Sequence, residues 1–324
     1  MKTAVLFPGQ GSQSVGMLAG LAAAHPAIAD TFAEAADVLG TDLWSLAQAG
    51  PEQRLADTRT TQPLMFVADI ALYRALRQQG LPEPVAFAGH SLGEFAALVA
   101  SGALAFADGL RLVDTRATLM AAAVPEGEGG MAALIGMEDE AVIALCSDAS
   151  AEVSADTAGE RIVEAVNFNA PGQVAISGHR DALERACELA KGRGARRALM
   201  LAVSVPNHSS LMRPAGQRLA EAIDALDWRM PDAPLVQNAP AAAPADLAAL
   251  LGSLRTHVFS PVRWTASVQG LRDGIAPELY LECGPGKVLT GLLKRIDTSL
   301  DCRATDTPDA FSAALAAAST TSPA

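Results

Sequence analysis

The run Thr3-Ala4-Val5-Leu6-Phe7 is short and apolar, and Pro8-Gly9 stops it. Such a run, bounded by a turn dipeptide, predicts a buried strand. A glycine-rich turn follows (Pro8-Gly9-Gln10-Gly11-Ser12-Gln13), and then a helical pattern. The same order recurs further on. Val85–Ala88 is apolar, Gly89-His90-Ser91-Leu92-Gly93 interrupts it, and Glu94–Ser101 suits a helix. Strand, tight turn and helix, met twice, predict an α/β fold with a parallel sheet. Residues 108–123 read as another helix, with Asp108 as its candidate N-cap.

The pattern changes after Pro125-Glu126-Gly127-Glu128-Gly129-Gly130, a hinge by composition. Met131–Ile135 predicts a strand, Glu138–Cys146 a helix, Ile162–Val166 and Gln173–Ser177 two strands, and Arg180–Gly192 a helix. One more strand is expected near Arg197–Val203. This order predicts a small α+β domain, 126–199, inserted into a larger α/β domain built from 1–125 and 200–324. The α/β pattern returns with Leu279–Glu282, which leads into Gly284-Pro285-Gly286. From about Ala304 the chain drifts into Ala, Ser, Thr and Pro and is expected to end frayed.

Composition narrows the classes. Half of the 324 residues are apolar and 19% are charged, which supports a sizeable core and excludes a disordered chain. The 24 basic and 36 acidic residues sum to −12, which opposes non-specific nucleic-acid binding. Four cysteines, at 146, 187, 283 and 302, form no CxxC pair, so neither a disulfide framework nor a zinc ribbon is expected. Phe95–Ala107 is the longest nearly apolar stretch. It is too short to span a bilayer, which takes about 20 residues. A soluble, cytoplasmic protein without membrane or metal is the expectation.

Gly89-His90-Ser91-Leu92-Gly93 fits the G-x-S-x-G pattern, and its place between an apolar run and a helix matters more than the pattern. A sharp turn there lifts the Ser91 hydroxyl above the sheet, and the next N–H faces an oxygen that gains charge. A serine nucleophile needs a base. The five histidines are 25, 90, 179, 208 and 257. His25 precedes Pro26 and looks structural, while His90 adjoins the serine and diverges from it. His179 has no evident partner. His208 ends Ser204-Val205-Pro206-Asn207, where the chain rejoins the large domain, and is the best base by position.

Leu112, Arg116, Leu119, Met120 and Ala123 share one stripe of the 108–123 helix. Arg116 therefore points with the apolar face, where an unpaired charge is costly. Its partner is either an internal carboxylate or the carboxylate of a bound acyl group.

These residues carry a resemblance. Phe7–Gln13, Thr61-Gln62-Pro63, Gly89–Glu94, Asn167 with Asn169–Gln173, Ser204–His208 and Gly284–Leu289 occur in the order found in malonyl-CoA:acyl carrier protein transacylases. The resemblance spans nearly the whole chain. It implies an α/β-hydrolase-like core with an inserted ferredoxin-like subdomain. It implies an acyltransferase whose Ser91 takes the malonyl group of malonyl-CoA and passes it to the phosphopantetheine thiol of acyl carrier protein. His208 would be the base, oriented by a main-chain carbonyl assigned to His257. Gln10 and Leu92 would supply oxyanion-hole N–H groups. Arg116 would hold the malonyl carboxylate, with His90, Gln62, Met120 and Asn207 also at the substrate. No cofactor is implied beyond the CoA substrate. Asn207 precedes the base, where polyketide acyltransferases of the same superfamily select their extender unit. The Ala-Pro-rich stretch after Gln237-Asn238 departs from the family's turn and reads as surface variation.

Lys191, Arg193, Arg196 and Arg197, and separately Lys287, Lys294 and Arg295, are basic clusters that could steer an acidic carrier or CoA phosphates. Three rivals stand beside this reading: a trans-acting polyketide acyltransferase, a serine thioesterase, and a carrier-docking subunit without activity. A thioesterase orders its triad Ser, Asp/Glu, His and has no need of a buried arginine. A docking subunit has no need of Ser91 and His208.

Overall fold

The computed structural model describes residues 1–157 and 159–320. Its strands are β1 (Thr3–Phe7), β2 (Ala86–Gly89), β3 (Gly129–Ile135), β4 (Val163–Ala170), β5 (Gln173–His179), β6 (Arg197–Met200), β7 (Leu235–Val236), β8 (Leu279–Glu282) and β9 (Cys302–Ala304). They form two sheets, in a mixed α/β arrangement. One sheet has the order β7-β2-β1-β8-β9, and every pairing in it is parallel. The other has the order β4-β5-β3-β6 and is antiparallel throughout.

The chain divides into two compact units. The first holds 1–117, 226–250 and 266–324 and carries the parallel sheet. Every residue of β1, β2 and β8 is buried, as a parallel sheet covered on both faces requires. The helix Thr58–Gln78 is buried almost all round and packs inside this unit. The second unit holds 118–225 and 251–265 and carries the antiparallel sheet. It runs wider than the segment 126–199 because Asn167 bridges to Val262 and the Phe168 N–H donates to the Val262 carbonyl. Helices Asp139–Asp156 and Arg180–Gly192 lay Val142, Leu145, Leu183 and Ala186 on this sheet.

Three expectations need correction. The Arg116 helix runs Phe106–Ala121, so Asp108 lies in its first turn and does not cap it. An acidic side chain there still favours the positive end of the helix. The chain after Ala304 does not dissolve into coil, because Pro308–Ala318 is helical. Thr307 caps it, Pro308 suits its first position, and Phe311, Ala314 and Ala318 are buried. Phe311 stacks on His25, with ring centroids 4.4 Å apart. The run of alanines that suggested fraying is good helix-forming sequence once one face is packed. Residues 321–324 lie outside the described part. Finally, His179 does have a partner, since its Nδ1 accepts the Ile162 N–H at 3.0 Å.

All four cysteines are unbonded. Among the described residues no helix is long and apolar enough to cross a membrane.

Candidate active site

Ser91 stands at the carboxyl end of β2, between that strand and the helix Gly93–Ala100. Its φ is 52°, in the left-handed region that a side chain rarely adopts. Such a conformation costs on the order of 1–3 kcal/mol and persists only where its surroundings enforce it. The two flanking glycines make the turn possible. A Cβ on Gly89 would overlap the Gly93 backbone, and one on Gly93 would overlap the Phe7 carbonyl. The His90 N–H donates to the Phe7 carbonyl at 2.9 Å, so the β1 loop that bears Gln10 lies against this turn. Leu92 heads the helix at its N-cap position, where N–H groups point outward and the dipole favours negative charge.

Asn238 was missed by the sequence reading. It is 2% exposed, and so far from surface variation that its carboxamide grips the turn. Oδ1 accepts the Ser91 N–H at 2.6 Å, and Nδ2 donates to the Gly89 carbonyl at 2.6 Å. The Asn238 N–H in turn donates to Glu94 Oε2 at 2.7 Å. Gln237 donates to Glu94 Oε1 and to the Leu250 carbonyl. Burial pushes the Glu94 carboxyl up to about 7, while these hydrogen bonds and the Arg116 charge pull it down. One signal was available: two carboxamides directly after a short apolar run, at the end of a strand. The exposed Ala-Pro stretch begins only beyond them.

Arg116 is 2% exposed. Nη1 donates to Gln62 Oε1, and Nη2 lies 3.3 Å from Ser91 Oγ. The guanidinium also faces the Phe95 ring, 5.4 Å from its centroid. Nε has no partner among the described residues. Nor, among them, does any carboxylate pair with Arg116 within 4.0 Å. Of the two partners left open by the sequence, an internal ion pair is therefore not formed among the described residues. Burial pulls the guanidinium down to about 9, and the Glu94 charge opposes this. It stays protonated at neutral pH. Met120, one turn further along the same helix, is also buried.

His208 belongs to the second unit and is 3% exposed. Its φ is 66°, and its N–H donates to the Val258 carbonyl at 3.0 Å. Nδ1 lies 3.1 Å from the His257 carbonyl and 3.0 Å from the Ser260 carbonyl. Both neighbours only accept, so Nδ1 carries the proton, and in the neutral imidazole Nε2 holds the lone pair. His257 is buried beside it, ring edge to ring face at 5.5 Å. Asn207 leaves its buried Oδ1 without a partner among the described residues. Sequence-selected residues thus fall into two groups. Gln10, Gln62, His90, Ser91, Leu92 and Arg116 are on the first unit; Met120, Asn207, His208 and His257 are on the second.

Residues 5–269 match the acyl transferase domain family. The chain is 47% identical, over 96% of its length, to the malonyl CoA-acyl carrier protein transacylase of Salmonella typhimurium, of which 98% is covered. Identity to the enzyme of that name from Escherichia coli K12 is the same over the same spans. The chain belongs to this acyltransferase family. Among solved structures, the malonyl-CoA:acyl carrier protein transacylase of Xanthomonas oryzae superposes with a TM-score of 0.92 at 46% identity, each chain 98% covered. A malonyl-transacylase solved in complex with its type II polyketide acyl carrier protein gives 0.93 at 43% identity, covering 98% of this chain and all of that one.

Proposed function

We propose that the protein transfers the malonyl group of malonyl-CoA to the phosphopantetheine thiol of an acyl carrier protein, through a malonyl ester on Ser91. The observation that carries this reading is the buried Arg116, which lacks a carboxylate partner among the described residues and lies 3.3 Å from Ser91 Oγ. A cation in that place calls for an acyl group bearing its own carboxylate.

In the first half-reaction His208 Nε2 takes the Ser91 proton as Oγ attacks the thioester carbonyl. The N–H groups of Gln10 and Leu92 receive the charge on the carbonyl oxygen. The C–S bond then breaks, and the CoA sulfur leaves with the proton from His208. In the second half the carrier thiol gives its proton to His208, its sulfur attacks the ester, and the C–O bond breaks. Ser91 recovers its proton. The His257 and Ser260 carbonyls hold the imidazole in the required tautomer, in place of a triad carboxylate. The chemistry needs no further cofactor.

The first unit suits an α/β-hydrolase-like core, and the strand-helix-strand-strand-helix-strand order of the second supports a ferredoxin-like subdomain. A cytoplasmic place beside fatty-acid synthesis follows from the reading. A polyketide carrier is the second reading, favoured by the carrier complex of the second structural relative. Of the basic residues considered for steering, Arg193 is tied to Asp148 at 2.7 Å.

Intact-mass analysis after mixing with malonyl-CoA should show one malonyl adduct, discharged on adding holo carrier protein. Free hydrolysis of the thioester without an acceptor would instead indicate a thioesterase. His208→Ala should slow acylation and transfer by about 10²–10⁴-fold. Higher pH should partly restore the rate, as hydroxide replaces the base. Transfer at the wild-type rate would assign the base elsewhere.

A further inference from the structure

We infer that Asn238 is a positioning residue for acylation: its carboxamide completes the β2 ladder at the nucleophile turn and fixes which N–H meets the oxyanion. This rests on Ser91 being the nucleophile.

The parallel pairing of β2 with β7 ends at Ala88 and Val236. In a parallel ladder, one residue donates to the carbonyl before its opposite residue and accepts from the N–H after it. Around His90, Asn238 does the same with its side chain. Nδ2 donates to the Gly89 carbonyl, and Oδ1 accepts from the Ser91 N–H, both at 2.6 Å. The carboxamide stands where a strand peptide would stand, although the chain has already turned away.

Two consequences follow. The bonds on both sides of His90 hold Ser91 at its left-handed φ of 52°. They also occupy the Ser91 N–H, so the Leu92 N–H remains to face a developing charge at the head of the helix Gly93–Ala100. Asn238 is itself held, because its own N–H donates to Glu94 Oε2 at 2.7 Å, one residue into that helix. Gln237 closes the arrangement by donating to the other Glu94 oxygen. A nucleophile, its turn and its helix are tied by two carboxamides and one carboxylate.

Asn238→Asp keeps the shape and the Oδ1 acceptor but loses the donor to Gly89. Asn238→Ala loses both. The test measures single-turnover acylation by malonyl-CoA, KM for malonyl-CoA, and melting temperature for each variant beside wild type. The expected result is an acylation rate lowered at least tenfold in both, with KM within about twofold and the malonyl-to-acetyl preference unchanged. A serine-directed fluorophosphonate, which needs no malonyl contact, should label Ser91 more slowly by a similar factor. Folded variants that acylate at the wild-type rate overturn the inference, even if they melt earlier. If Asn238→Ala does not fold, the Asp variant decides. Absence of an adduct in the wild type would refute the nucleophile itself, a distinct outcome.

Discussion

Ser91→Ala is expected to take no malonyl group from malonyl-CoA and to transfer none to a carrier. The covalent step has one acceptor atom, and this substitution deletes it. The turn itself should survive. Alanine bears the same Cβ at φ 52°, and the Ser91 N–H bond to Asn238 involves only the backbone. The four cysteines cannot take over the acyl group. Cys146, Cys187 and Cys283 are buried; burial pushes the Cys146 thiol up to about 12, raises the Cys187 thiol and raises the Cys283 thiol well above its ordinary value. Cys302 is likewise pushed up to about 12, so none offers a thiolate at neutral pH. Loss of a serine nucleophile in a hydrolase lowers turnover by about 10⁶-fold. A ping-pong transferase has still less to fall back on, because both half-reactions pass through the ester. The measurement is intact mass with malonyl-CoA and carrier discharge, together with a melting curve. An adduct of malonyl mass on the folded variant would remove Ser91 from its role.

How far the sequence spoke depended on whether an element's meaning was local. Thr3–Phe7, Leu279–Glu282 and Arg180–Gly192 fold over the residues that their patterns mark, because two apolar runs stopped by Pro-Gly or Gly-Pro and one amphipathic pattern ending in Gly are each fixed within one window. The G-x-S-x-G turn was legible for the same reason, since its two glycines answer to backbone within the turn and the adjoining strand. Arg116 was legible from its stripe alone. Helix Asp139–Asp156 ran ten residues beyond its expected end at Cys146, where Ala, Ser and Glu give weak punctuation. Asn238 could not be found in this way. It meets Ser91 across 147 residues, and only the β2–β7 pairing brings it there. Gln62 needed the resemblance, because Pro63 hides a long buried helix in which the Gln62 side chain reaches Arg116. Whether an arginine has a carboxylate partner is likewise a tertiary fact that no periodicity carries.

Arg116→Ala should reverse acyl preference rather than abolish transfer. In the protein without substrate the guanidinium is buried among Gln62, Phe95 and Ser91, and its charge is balanced by no ion pair among the described residues. Glu94 acts on it only at longer range, with a carboxyl that burial itself keeps near 7. A malonyl group on Ser91 would bring its carboxylate to the free face of this cation and form a charge-assisted, two-pronged contact. Deleting the arginine leaves that carboxylate in a buried place without a partner, which costs on the order of 3–5 kcal/mol. At about 1.4 kcal/mol per decade, kcat/KM for malonyl-CoA falls by roughly 10²–10³ or more. Acetyl-CoA carries no carboxylate and loses no such contact. In the wild type it must also leave the cation unpaired, so the variant should accept acetyl better than the wild type does. Arg116→Lys keeps the charge but not the fork, and its malonyl preference should lie between the two. The experiment compares specificity constants for malonyl-CoA and acetyl-CoA in the three proteins, each shown to be folded by its melting curve. Equal losses for both donors would make Arg116 a packing residue and leave the acyl carboxylate without its partner.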